Sequence, residues 1–202
     1  MTGLVILAAG PSTRLGEPKQ KIVFKGKTLL QRAIETALHA NCRPVIIILG
    51  ANADEMQSEI ENENVITYHN SHWYEGMASS IRLGIQALQK TEPTISDVIL
   101  MVCDQPYADT ALLNDMINKK AITGMGIIAC SYSNTLGVPA LFDKKFFPDL
   151  LSLTGQEGAK KIIMKYKESV ADIPFPLASF DIDTIEDYEA LRKDNERGED
   201  SH

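Results

Sequence analysis

Leu4-Val5-Ile6-Leu7-Ala8-Ala9-Gly10-Pro11-Ser12-Thr13-Arg14-Leu15-Gly16-Glu17-Pro18-Lys19-Gln20 is the stretch on which the reading of the whole chain turns. Its first residues are apolar without alternation and run into Gly10, the pattern of a strand buried on both faces that ends in a loop. Strands of that kind belong to parallel sheets covered by helices, and the chain continues in that rhythm. Thr28 followed by Gln31 predicts a capped helix with Leu30, Ala33, Ile34, Ala37 and Leu38 on one face. Val45–Leu49 predicts a second strand, residues 53–61 a helix and residues 65–68 a short strand. Met77, Ile81, Ile85 and Leu88 form the next helical face, Val98–Val102 a central strand, and Leu112, Met116 and Ile117 mark a further helix. The alternation breaks at Gly126–Tyr132 and Val138–Phe142, two strand-like runs joined by Ser133-Asn134-Thr135-Leu136-Gly137, which reads as an antiparallel excursion. Helices near residues 158–166 and 185–192 complete the expected fold. The class is α/β, a three-layer α/β/α arrangement around a Rossmann-like, mainly parallel sheet.

With 202 residues, 44% of them hydrophobic, the chain can bury a continuous core. One domain over residues 1–192 is expected, followed by a polar, disordered tail over 193–202. No stretch approaches the roughly 20 apolar residues of a membrane span, and no basic segment precedes Leu4–Ala9 as a signal peptide requires. The expected location is the cytoplasm. Cys42, Cys103 and Cys130 lie far apart without CxxC spacing, so reduced thiols are expected, with neither a disulfide framework nor a zinc site. A net charge of −7 disfavours nucleic acid and anionic membrane as partners. An anionic ligand must therefore meet local cations or a bound metal.

Ligands of open α/β sheets bind beyond the carboxyl ends of the strands, which directs attention to the loop after the first strand. The small residues Ala8, Ala9 and Gly10 let backbone approach a planar base or a phosphate, and Arg14 and Lys19 add two cations. That combination suits a triphosphate; read alone, the same loop is equally an ordinary strand-to-helix turn with solvated charges. A dinucleotide fingerprint is absent because Ser12 stands where the second glycine belongs. A Walker loop is absent as well: Gly26-Lys27-Thr28 matches its end, but Lys21 occupies the position of its first glycine. The predicted central strand ends in Asp104-Gln105-Pro106, which puts a carboxylate on the ligand edge, well placed for magnesium, although Asp followed by Pro is also common turn chemistry. Asp181-Ile182-Asp183-Thr184 offers a second carboxylate, for which Asp183 is the preferred metal ligand; Thr184 and Asp187 fit a helix cap. Ser79 and Ser80 open a helix, where they either cap it or contact a base or ribose. Trp73, His69 and His72 are assigned no catalytic task.

Residues 7–20 resemble the signature LAAGxSxRxGxPKQ of the nucleotidyltransferases that include the molybdenum cofactor guanylyl- and cytidylyltransferases and the sugar-phosphate and methylerythritol-phosphate nucleotidyltransferases. The resemblance implies the nucleotide-diphospho-sugar transferase fold, with Leu7, Ala8, Ala9, Gly10, Arg14 and Lys19 around the nucleotide. Asp104-Gln105-Pro106 is similar to the family's DQP box and Asp181-Ile182-Asp183-Thr184 to its DIDT box, which implies Asp104 and Asp183 as Mg2+ ligands. Cys103 replaces a common glycine, and Ile185 a common proline. Trp73-x-x-Gly76-Met77-x-Ser79-Ser80, Gly137–Phe142 and Gly155-Gln156-Glu157-Gly158-Ala159-Lys160 resemble the cytidylyltransferase branch. In the last of these, which that branch usually writes GDxGAR, Gln156 and Lys160 depart from the pattern at positions linked to the pterin substrate. Ala9 matches the LAAG form of cytidylyl enzymes rather than the LAGG of guanylyl enzymes.

The implied reaction is Mg2+-dependent transfer of CMP from CTP to the phosphate of molybdopterin, with release of pyrophosphate. Arg14, Lys19 and Asp104 are the expected catalytic residues, and Ser79 and Ser80 are expected to help fix the nucleoside. A molybdenum hydroxylase is the expected recipient of the product. Guanylyl transfer from GTP, nucleotidyl transfer to a sugar or polyol phosphate, and a non-catalytic cofactor carrier are the alternatives.

Overall fold

The computed structural model describes residues 1–12, 18–60 and 64–179. Arg14, Asp181, Asp183, the expected helix at 185–192 and the polar tail at 193–202 lie outside the described residues. β1 (Thr2–Ala8) is buried along its whole length, and its two faces feed two different cores. Leu4, Ile6 and Ala8 pack with Leu30, Ile34 and Ala37 of α1 (Leu29–His39), Met56 of α2 (Ala53–Ile60), and Leu113 and Met116 of α4 (Thr110–Thr123). Val5, Leu7 and Ala9 pack with Ile81, Ile85 and Leu88 of α3 (Met77–Thr91), and with residues of α5 (Phe147–Leu151) and α6 (Ala159–Lys165). Two-sided burial is the reason β1 shows no polar alternation.

The sheet has seven strands in the order β5-β4-β1-β6-β8-β7-β9. β4 (Val45–Leu49) and β6 (Asp97–Val102) flank β1 in parallel, and β5 (Ile66–His69) extends that half in the same direction. β8 (Thr135–Asp143) runs antiparallel to both β6 and β7 (Ile127–Tyr132), whereas β9 (Val170–Pro174) pairs parallel with β7. The expected class is thus the observed one. The excursion turns on Ser133 and Asn134 alone, both left-handed with φ of 46° and 59°, so Thr135, Leu136 and Gly137 belong to the strand and not to the turn. A two-residue hairpin, β2 (Val23–Phe24) with β3 (Lys27–Thr28), and the strand β9 were not foreseen.

Local chemistry explains the helix boundaries. Thr28 and Gln31 form a reciprocal capping box at the start of α1, with the Gln31 N–H donating to Thr28 Oγ1 at 3.2 Å and the Thr28 N–H donating to Gln31 Oε1 at 3.0 Å. The Arg43 guanidinium closes the other end, donating to the carbonyls of Leu38, Ala40 and Cys42. At the amino-terminal edge of the sheet, Lys120 of α4 bridges Asp97 on β6 and Asp143 on β8, fastening helix to sheet. Among the described residues no helix is long and apolar enough to cross a membrane.

Candidate functional site

Parallel pairing of β5, β4, β1 and β6 brings their carboxyl ends to one edge. Ala9-Gly10, Gly50, Asn70 and Cys103-Asp104 therefore leave the sheet side by side. The chain after β1 returns to that edge through a 3-10 turn at Lys19–Lys21. Gln20 anchors the return: its side chain is buried, and its Nε2 donates to the carbonyls of Ala8 at 2.8 Å and Gly10 at 3.2 Å. The Lys19 backbone N–H donates to Ser12 Oγ at 2.9 Å, closing the loop from the other side. Lys19 Nζ then lies 3.2 Å from Asp104 Oδ2, with the two side chains 16% and 22% exposed. Residues far apart in sequence are thereby joined into one charged corner at the sheet edge. Gln105 fixes the segment behind it, with Nε2 donating to Val138 O at 3.2 Å.

Burial pushes the Cys103 thiol far above its ordinary range, and the neighbouring Asp104 carboxylate pushes it further. Burial likewise raises Cys42 to about 11 and Cys130 to about 12. All three cysteines are buried and unbridged, so none is a ready nucleophile. Among the described residues no three His, Cys, Asp or Glu side chains converge as a metal cluster.

The other side of the edge is organised by Asn70, which is 3% exposed. Its Nδ2 donates to Ser79 Oγ at 2.8 Å and to Ser80 Oγ at 2.9 Å, and its Oδ1 accepts the His72 N–H at 3.0 Å. Ser79 is used up by this network, because its hydroxyl also donates to the carbonyls of His72 and Gly76 at 2.9 and 2.8 Å. Ser80 accepts from Asn70 and lines a cleft of about 260 Å³ together with Leu7, Ala9, Gly10, Met77 and Gln156. Trp73 and Tyr74 form an aromatic lip on that cleft, with ring centroids 6.4 Å apart and planes at 79°. Neither Asn70 nor Gln20 was singled out from the sequence for a role. A larger surface groove of about 620 Å³ beside the Ser133-Asn134 turn contains none of the expected site residues.

Gly76 shapes the cleft floor. Its φ of +107° with ψ of −176° lies in a region open almost only to glycine, and a Cβ there would meet Gly155 O at 2.5 Å. The close approach lets the turn at residues 153–158 sit on the start of α3. The Ala78 N–H donates to Gly155 O at 3.2 Å, and Arg82 Nη1 donates to Leu153 O at 2.7 Å.

The sequence profile of the family described as the MobA-like NTP transferase domain matches residues 4–170, so the chain belongs to that family of nucleotidyltransferases. It is 26% identical to the nicotine blue oxidoreductase of Paenarthrobacter nicotinovorans, over 90% of this chain and 92% of that one. It is 23% identical to the molybdenum cofactor cytidylyltransferase of Escherichia coli strain K12, over 91% and 92%. Among solved structures, that of Rv0371C in complex with manganese, from Mycobacterium tuberculosis H37Rv, superposes with a TM-score of 0.75 at 26% identity, covering 95% of this chain and 98% of that chain.

Proposed function

We propose that the protein transfers CMP from CTP to the terminal phosphate of molybdopterin or the molybdenum cofactor. The observation that carries this reading is the charged corner of Lys19 and Asp104, 3.2 Å apart at the carboxyl end of the sheet and beside the small-residue end of β1. An acceptor phosphate oxygen attacks the α-phosphorus of CTP. The bond from that phosphorus to the bridging oxygen breaks, and its electron pair leaves on pyrophosphate. A phosphate nucleophile is already ionised near neutral pH, so the reaction requires no general base. Lys19 and Arg14 neutralise the triphosphate, and the backbone at Leu7, Ala8, Ala9 and Gly10 admits the nucleotide closely. Asp104 and Asp183 would hold Mg2+; a hard carboxylate such as Asp104, partly exposed at the sheet edge, suits that ion. When bound, the ion supplies charge neutralisation to the phosphates. Ser80 offers its hydroxyl proton to the nucleoside, while Ser79 supports it from behind through Asn70.

Cytosine is favoured by Ala9 in the LAAG motif and by similarity to a cytidylyltransferase. The reaction belongs in the cytoplasm, with a molybdenum hydroxylase as recipient. The likeness to a relative named as an oxidoreductase raises a redox reading of the same fold. Ser12 in place of a dinucleotide-binding glycine, together with the Lys19–Asp104 corner, favours transfer of a nucleotidyl group instead. Thermal unfolding with Mg2+ and each of CTP, GTP, UTP and ATP tests the proposal. Ligand at about 100 times its dissociation constant stabilises by about 2.7 kcal/mol, worth several degrees. A Mg2+-dependent shift with CTP, followed by pyrophosphate release on adding molybdopterin, is the expected result. Asp104→Ala should abolish that release in a chain that still unfolds cooperatively, at a melting temperature lowered only by the loss of the Lys19 ion pair. A shift with GTP alone replaces cytidylyl by guanylyl transfer; release with a sugar or polyol phosphate instead replaces the acceptor. Tight binding of finished cofactor without pyrophosphate release identifies a carrier.

A further inference from the structure

Gln156 departs from the aspartate of the resembling branch at a position that the resemblance links to the pterin substrate. In the structure its side chain lines the same cleft as Leu7, Ala9, Gly10 and Ser80. A volume of about 260 Å³ is below the roughly 300–1,000 Å³ typical of pockets that enclose a whole drug-sized ligand, so the cleft suits one flat ring rather than a complete nucleotide. We propose that Gln156 is a specificity-determining residue that reads the hydrogen-bonding edge of the nucleobase, with Ser80 as its partner in the lining of the same cleft. The inference rests on the nucleotidyl-transfer reading and deepens it.

Two features bring the Gln156 side chain to the cleft. The turn that carries it is pinned to α3 by the Ala78 N–H on Gly155 O and by Arg82 on Leu153 O, and it is closed internally by Glu157, whose Oε2 accepts the Thr154 N–H at 2.9 Å. Gly76 has no side chain to hold the amide off: a Cβ at that position would stand 2.8 Å from Gln156 Cδ. The polarity of the Ser80 hydroxyl is defined as well. Asn70 donates to Ser80 Oγ, which leaves the Ser80 proton to be given to an acceptor in the cleft. A primary amide offers one donor and one acceptor side by side, which matches the N3 acceptor and N4 amino donor of cytosine. A carboxylate offers acceptors only; it faces the N3 lone pair of cytosine but suits the adjacent N1 and N2 donors of guanine. One change at this position therefore alters which base fits.

The experiment measures dissociation constants of the four nucleoside triphosphates with Mg2+, and of inorganic triphosphate, for the wild-type chain, Gln156→Glu and Gln156→Ala. Gln156→Glu should lower the preference for CTP over GTP by about 10-fold or more, the scale of one bidentate contact. Gln156→Ala should flatten preferences among the bases, and all three proteins should bind inorganic triphosphate alike. Gln156 is exposed, so the variants should melt at the wild-type temperature. Base preferences unchanged in both variants, or a wild-type chain that binds all four nucleotides equally, overturn the proposal while leaving nucleotidyl transfer standing. A wild-type chain that binds none of the four overturns the nucleotide reading itself.

Discussion

Asn70→Ala is the substitution that most directly separates architecture from chemistry in this site. The side chain makes three hydrogen bonds at 2.8, 2.9 and 3.0 Å, and the residue is 3% exposed. At about 1 kcal/mol net per bond the loss comes to about 3 kcal/mol, within a range of roughly 2–4 kcal/mol set by how far the freed groups reach water. The Ser80 hydroxyl can turn toward the cleft, which moderates the loss; the His72 N–H cannot move as freely, which adds to it. Urea unfolding should show a lower midpoint at an unchanged slope. Asn70→Asp then distinguishes the two roles. Its carboxylate still accepts from the His72 N–H, and the Ser80 hydroxyl can rotate to donate to it while Ser79 stays committed to the His72 and Gly76 carbonyls, so it should destabilise less than alanine does. That rotation spends the Ser80 proton, however, so CTP binding should weaken in Asn70→Asp at least as much as in Asn70→Ala. A destabilisation under about 1 kcal/mol for Asn70→Ala, or CTP binding untouched in Asn70→Asp, refutes the hydrogen-bond polarity argued for the cleft.

Gly76→Ala should cost at least about 2 kcal/mol, because it combines a glycine-only backbone conformation with a Cβ lying against Gly155 O; a denaturation midpoint equal to wild type would contradict that geometry. Lys120→Met removes the shared partner of Asp97 and Asp143 and should destabilise by about 2–4 kcal/mol, since it leaves Asp97 nearly buried without its cation. Burial pushes Asp143 up, but the Lys145 N–H and the Lys120 ammonium outweigh it and hold its carboxyl below its ordinary range. Its stabilising contribution is thus present above the unfolded-state pKa and fades as pH falls through the lower folded value. Acid titration of stability below about pH 4 should therefore flatten in Lys120→Met, and an identical acid limb in the two proteins would exclude that linkage. All three thiols are raised, so at pH 8 they remain protonated as well as buried; a disulfide-exchange reagent should modify none of them until the chain unfolds.

Features carried by local periodicity were legible in the sequence, and those carried by single long-range contacts were not. β1, the capping box at Thr28 and Gln31, and the antiparallel excursion each have a short-range signature, and each is in the structure. β9 was missed because Val170-Ala171-Asp172-Ile173-Pro174 mixes apolar and polar residues and ends in proline; it is a half-buried edge strand whose pairing with β7 supplies its definition. Lys19 and Asp104 were each expected at the ligand edge, and their direct contact depends on the sheet order. Gln20 and Asn70 have no periodic signal at all. A lone amide becomes recognisable only when its partners are known, and here the partners are a strand-end carbonyl and the serines of a different element.

Those two amides share a logic that bears on the whole site. Gln20 holds the loop after β1 through the carbonyls of Ala8 and Gly10, and Asn70 holds the start of α3 through the hydroxyls of Ser79 and Ser80. The cleft lies between the two held segments, so its width is set by contacts that no ligand needs to make. Both tasks call for donors directed at oxygen, in a chain of net charge −7 whose proposed substrate is itself an anion. Neutral amides meet that demand without adding acidic groups to the cleft and without competing for phosphate as a lysine would. On the proposed reading, positive charge is then kept where phosphate would arrive, at Lys19, and hydrogen-bond polarity where a base would be read, at Ser80 and Gln156. If that reading holds, a change in the proposed base-reading wall alters nucleotide choice without disturbing the charged corner of Lys19 and Asp104.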